Sequence, residues 1–187
     1  MTVSIELQME QMGQRAKKAA RVLSAAAPAA KTQALRALAA LLIERQPDIL
    51  KANALDVDAA KAANMDAPRL DRLTLTPRIM ADMADACLHV ADMADEVGVI
   101  EQQWQRPNGL MIGKMRIPLG VIAMIFESRP NVTIDAAILC LKAGDAVILR
   151  GGSEAIHSNL ALAGLLHEAL RSAGLPEDAA QVVETTD

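Results

Sequence analysis

The chain has 187 residues, of which 52% are hydrophobic and 22% charged, and a formal net charge of −4. With no basic surplus it cannot match the phosphate backbone of a nucleic acid, which excludes nucleic acid as an expected partner. The longest uncharged apolar run, Ile117–Phe126, is about half the roughly 20 residues that a membrane helix needs. The N-terminus also lacks the basic start, apolar stretch and cleavage site of a signal peptide, so no membrane and a cytoplasmic location are expected.

Residues 1–95 read as mostly helical. Ile5, Met9, Met12, Ala16, Ala19 and Leu23 recur at steps of three and four, which marks one face of a helix from Ser4 to about Ser24. Pro28 and Pro47 suit a first helical turn, predicting helices over Pro28–Arg45 and from Pro47 to about Ala63. Thr76-Pro77 is a capped start for a further helix ending near Asp92. Residues 97–117, with Pro107-Asn108-Gly109 at the centre of β-compatible flanks, read as a hairpin.

Residues 118–187 read as strand, helix, strand, helix, strand. Leu119–Phe126 is too short an apolar run for a helix, and a buried parallel strand fits it. Pro130 opens an amphipathic segment that Gly144 closes. Ala146–Leu149 is a second apolar run, followed by Arg150-Gly151-Gly152-Ser153, with Glu154 opening another helix, and Ala180–Val183 is a third. The fold class is therefore α/β, and such units place their working loops at the carboxyl ends of the strands. Only Trp104 and Phe126 are aromatic, so the core is built from Leu, Ile, Val, Met and many Ala.

Candidate chemistry divides by position. Cys87 shares a helical face with Met80, Met83 and Val90, and Cys140 sits within AAILCLKAG with no charge beside it to lower its thiol pKa, so both are expected in the core. Asp82, Asp85, His89 and Asp92 align on the opposite face, where a solvated surface is the expectation and no metal is predicted, because one straight helix cannot wrap an ion. His157 and His167 are expected on the surface. Arg129 offers a planar fork for carboxylate or phosphate, or a structural partner for Glu127.

The loops FESRPNVT and LRGGSEA, with LDRLTLTPRIMADMA and RPNGLMIGKMRIPLG upstream and LPEDAAQVVETTD downstream, resemble the gamma-glutamyl phosphate reductases, or glutamate-5-semialdehyde dehydrogenases, of the aldehyde dehydrogenase superfamily. The resemblance covers essentially the whole chain. It implies that the helices and hairpin lead into the first half of a Rossmann-like parallel sheet. Residues 1–187 would then be the N-terminal part of an NADP-binding domain, with the catalytic domain and its nucleophilic cysteine absent. It further implies a homo-oligomer when full-length, acting on gamma-glutamyl phosphate and glutamate 5-semialdehyde in proline biosynthesis. A thiolate displaces phosphate to leave a thioester, and NADPH supplies the hydride.

Residue by residue, Phe126-Glu127-Ser128-Arg129-Pro130 falls where the superfamily has Pro-Trp-Asn-Phe-Pro. Ser128 thus takes the place of an oxyanion-donating asparagine, and Arg129 and Asn131 are expected to bind substrate. Phe126, Glu127, Arg150, Gly151, Gly152 and Ser153 are expected around the cofactor, with Arg150 replacing a ribose-contacting lysine and suited to the 2′-phosphate of NADP. The missing GxGxxG agrees with a superfamily that lacks that pyrophosphate loop. The alternative is a stand-alone nucleotide-binding or assembly module that performs no chemistry.

Overall fold

In the computed structural model, residues 4–185 are described. Helix α1 spans Ile5–Ser24, and the Ser4 hydroxyl caps it by accepting from Leu7 N–H at 3.3 Å. Its stripe of Met12, Ala16, Ala19, Ala20 and Leu23 is buried. Prolines in the first turns of α2 (Pro28–Glu44) and α3 (Gln46–Ala62) start those helices at the expected places. Between α3 and α5 (Pro77–Asp92) lies α4 (Ala67–Leu73), a seven-residue helix for which the sequence reading has no counterpart. Asp66 caps it by accepting from Arg69 N–H at 3.0 Å.

Strands β1 (Ile100–Gln105) and β2 (Met111–Met115) form the expected antiparallel hairpin around Asn108-Gly109, with Gly109 at φ 87°. The main sheet is parallel, in the order β3 (Val121–Ile125), β4 (Ala146–Arg150), β5 (Ala180–Val182). Helix α6 (Asn131–Ala143) joins β3 to β4 and ends on Gly144 at φ 80°, a left-handed cap that disfavours a side chain. Helix α7 (Ile156–Ser172) joins β4 to β5, and right-handed crossovers set α6 and α7 on one face of the sheet. Helix α1 packs along β4 and touches β3 and β5, while α2 and α5 lie behind α6 and α7.

One core cluster runs through α1, α2, α5, α6, α7 and the sheet, and includes Leu23, Leu35, Met80, Ile134, Leu149 and Leu166. Each such fully buried side chain contributes about 1.5–3 kcal/mol of transfer free energy. A second, small cluster of Val57, Ala60, Leu73 and Ala155, with Met65 and Leu70 against it, fastens α4 to α3 and to the turn after β4. Cys87 and Cys140 are both in the main core.

Strand β3 departs from expectation in burial. It is parallel and hydrogen-bonded to β4, but Val121, Ala123 and Ile125 are exposed, Ile125 at 81%. These three residues share one face of β3, which the helices of this chain cover less than they cover β4. His167 also departs: it is half-buried, with Nε2 2.8 Å from the Ala180 carbonyl, and so ties α7 to β5. No helix of the described residues is long and apolar enough to cross a membrane.

Candidate functional site

A cavity of about 360 Å³ opens at the carboxyl ends of β3 and β4, which is where parallel α/β sheets place ligands. Its walls come from three segments. Phe126, Glu127 and Ser128 follow β3; Arg150, Gly152 and Glu154 follow β4; Met65, Arg69 and Arg72 come from α4 and its approach. The two loops are sewn together by Phe126 N–H donating to the Arg150 carbonyl at 3.0 Å and by the Ser128 hydroxyl donating to Glu154 Oε2 at 2.8 Å.

The glycines are there because the loops touch. A Cβ on Gly152 would sit 2.3 Å from Ser128 Oγ and 2.7 Å from Glu154 Oε2, and one on Gly151 would sit 2.3 Å from Asn159 Nδ2 and 3.1 Å from the Phe126 ring. Asn159 cannot yield, since it is buried and accepts from the Thr133 hydroxyl at 2.9 Å.

Charge at the mouth is mixed. Glu127 is bridged by Arg72 Nη1 at 3.2 Å and Arg129 Nε at 2.6 Å, so Arg129 has the structural partner foreseen for it. Arg69 Nε lies 3.4 Å from Asp66, and Arg150 Nη1 donates to the Gly151 carbonyl at 3.2 Å. The Glu154 carboxyl is held below the usual carboxylate range by its own backbone N–H, then by the Ser128 hydroxyl, with Arg69 adding a Coulombic pull.

Behind the mouth is a buried polar knot centred on α3. Asp56, 2% exposed, accepts from His157 N–H at 3.1 Å, Ser158 N–H at 2.8 Å and the Ser158 hydroxyl at 2.6 Å, with His157 Nδ1 2.7 Å away. Asn53 donates to the Leu73 carbonyl at 2.8 Å and to Ser158 Oγ at 3.0 Å, and accepts from Leu75 N–H at 2.8 Å. The knot therefore fixes the end of α4 and the start of α7 in one frame.

Of the residues singled out by sequence, the cavity gathers Phe126, Glu127, Ser128, Arg150 and Gly152. Gly151 lies just behind, against Phe126, and Ser153 is on the exposed turn. Arg129 is not in the lining and pairs with Glu127 in the wall, while Asn131 donates to Asp135 at 3.0 Å and lines a different hollow with Ile79, Asp82 and Met83. Sequence reasoning missed Met65, Arg69, Arg72 and Glu154. The available signal was Asp66-Ala67-Pro68, a helix start, followed by two arginines three residues apart.

Neither cysteine is poised as a nucleophile. Burial pushes the Cys87 thiol up to about 12, with Asp135 adding to it, and pushes Cys140 up to about 11, with Asp145 adding to it. Asp82, Asp85, His89 and Asp92 are exposed on α5, and Asp92 pairs with Arg36 at 2.8 Å. Among the described residues no group of three or more His, Cys, Asp or Glu is placed to hold a metal ion.

The helices, hairpin and parallel sheet with a cavity at its strand ends are those of a known class: the chain belongs to the aldehyde dehydrogenase family, which matches it over residues 3–187. Within that family it is 69% identical over 185 residues to the gamma-glutamyl phosphate reductase of Nitratidesulfovibrio vulgaris, an overlap of 99% of this chain and 44% of that protein. The crystal structure of gamma-glutamyl phosphate reductase from Thermotoga maritima matches with a TM-score of 0.92 at 38% identity, over 95% of this chain and 43% of that one. The enzyme of the same name from Saccharomyces cerevisiae matches with a TM-score of 0.89 at 27% identity, over 100% of this chain and 48% of that one. The chain thus spans less than half the length of these relatives.

Proposed function

We propose that this chain is the N-terminal part of an NADP-binding domain in a gamma-glutamyl phosphate reductase, working in the cytoplasm in proline biosynthesis. The observation that carries the reading is the cavity at the ends of β3 and β4, with Arg69, Arg72 and Arg150 in its walls. The donor set fits the adenosine-phosphate half of a dinucleotide. Guanidinium forks match phosphate oxygens, and Gly152 presents bare backbone where a Cβ would meet Ser128 and Glu154. When bound, NADPH would supply the hydride that reduces the thioester left after a thiolate has displaced phosphate from gamma-glutamyl phosphate, releasing glutamate 5-semialdehyde and the thiolate.

This chain's own residues would bind and orient. Arg150 would engage the 2′-phosphate that separates NADP from NAD. Glu127 and Phe126 would border the same pocket with Gly151, Gly152 and Ser153. Ser128 would donate to the carbonyl oxygen as it becomes anionic, and its one hydroxyl proton must first leave Glu154 to do so. Arg129 and Asn131 would meet the anionic substrate only after releasing Glu127 and Asp135. The nucleophilic thiolate would come from the length of the relatives that this chain does not span, since Cys87 and Cys140 are buried with raised pKa values. A homo-oligomer is part of the same reading.

The test is cofactor discrimination in the native protein that carries this chain. Arg150→Ala should weaken NADP more than NAD, by about 1.5–3 kcal/mol for one lost charge-assisted contact. Equal losses for both cofactors would assign Arg150 to the shared ribose or to loop shape.

A further inference from the structure

Arg69 and Arg72 stand three residues apart on α4, so both side chains leave the same helix face. That face looks into the cavity. The adjoining face is fixed: Leu70 and Leu73 pack with Val57, Ala60 and Ala155, Asn53 ties down the Leu73 carbonyl and Leu75 N–H, and Asp66 caps the first turn. A short helix held at three points places its guanidinium groups without needing a ligand to order the backbone. Both arginines are solvent-exposed, at 69% and 47% of their side chains, so neither is required by the core.

The charged lining comprises Arg69, Arg72 and Arg150 against Glu127 and Glu154. Glu127 has a second cation in Arg129, on its other oxygen, so Arg72 can turn to an incoming anion while Glu127 stays paired. Glu154 is occupied by its own N–H and by Ser128. Arg69 lines the cavity and meets Asp66 through Nε at 3.4 Å. A phosphate monoester is the anion that suits this arrangement, because its three oxygens accept from several planar forks at once.

We propose that Arg69 and Arg72 complete, with Arg150, a three-guanidinium seat for a phosphate carried on the ribose of the bound dinucleotide, so that cofactor choice is made by α4 as much as by the loop after β4. The inference rests on the dinucleotide reading above and adds the residues that select its phosphorylated form.

The experiment measures binding of adenosine 2′,5′-bisphosphate and adenosine 5′-monophosphate to the native protein by calorimetry, alongside the KM for inorganic phosphate in the reverse reaction. Arg69→Gln with Arg72→Gln should weaken the bisphosphate at least about tenfold, the size of one lost charge-assisted contact. The monophosphate and the KM for phosphate should stay within about twofold, and Arg72→Lys should restore part of the loss by keeping the charge without the fork. Equal weakening of both nucleotides, or an unchanged bisphosphate affinity in a folded double variant, overturns the seat. A raised KM for phosphate with unchanged nucleotide binding also overturns it and assigns the arginines to the substrate. If the unsubstituted protein binds neither nucleotide, the dinucleotide reading itself falls.

Discussion

Two polar clusters join the same elements and have opposite fates. The knot of Asn53, Asp56, His157 and Ser158 and the mouth of Arg69, Arg72, Glu127 and Glu154 both lie between the α4 region and the loop entering α7. In the knot, Asp56, Asn53 and Ser158 are at most 3% exposed, so every polar atom there must find a protein partner, and those partners are fixed. In the mouth, ion-paired side chains are about half exposed, and such pairs contribute only about 0–1 kcal/mol. Burial turns one set into a frame and leaves the other free to exchange partners with a ligand.

The sharpest way to break this contrast is at Asp56. Asp56→Ala strands the Ser158 N–H and hydroxyl in the interior and frees the part-buried His157 N–H, and it should lower unfolding free energy by about 3 kcal/mol or more, since hydrogen bonds to a charged group carry about 1.5–3 each. Denaturant unfolding at neutral pH measures it. An effect under about 1 kcal/mol would make the knot no stronger than an exposed pair.

The adjacent glycines draw the same line within one loop. Gly151→Ala pushes into Asn159, which is buried and bonded to Thr133, so overpacking should be destabilising by about 1–3 kcal/mol. Gly152→Ala meets the side chains of Ser128 and Glu154, which can swing toward solvent, although Ser128 N is also near at 3.2 Å. Its stability loss should be smaller than that of Gly151→Ala, while its effect on nucleotide binding should be the larger of the two. Thermal unfolding and calorimetric titration of the pair decide the order, and a reversal would mean that the mouth is as rigid as the frame.

The sequence made the frame's elements legible, but not its joints. Ser4, Pro28, Pro47, Thr76-Pro77, Pro130 and Gly144 announce helix ends because capping and proline chemistry are local. The hairpin and the β3–α6–β4 unit followed from apolar run length and turn residues. Helix α4 was missed because its seven residues, APRLDRL, carry three charges and too few turns for a period to appear. The knot was missed because Asp56 finds Ser158 across 102 positions, a distance that no pattern within α3 encodes. Strand β3 was assigned a buried place because its apolar run resembles that of β4, and an apolar run does not say which of its faces the elements of this chain cover. Of the cavity's walls, the two loops were among the residues singled out in the sequence and the third wall was not, since it belongs to α4.

The gentlest probe of the mouth is pH. The native Glu154 carboxyl has a lowered pKa, through its own N–H first, then Ser128, then Arg69. A depressed native pKa adds stability that is present above the unfolded value, about 4.3 for glutamate, and disappears as pH falls through the native value. The effect should be small, because the group is largely in solvent. Ser128→Ala removes the second cause, so the variant should lose less stability than the parent when pH drops from about 6 to about 3. The difference between the two proteins at each pH reports on this contact. Parallel unfolding curves, with the same gap at both pH values, would mean that the Ser128 hydroxyl spends little time on Glu154 in solution and is already free to serve as a donor.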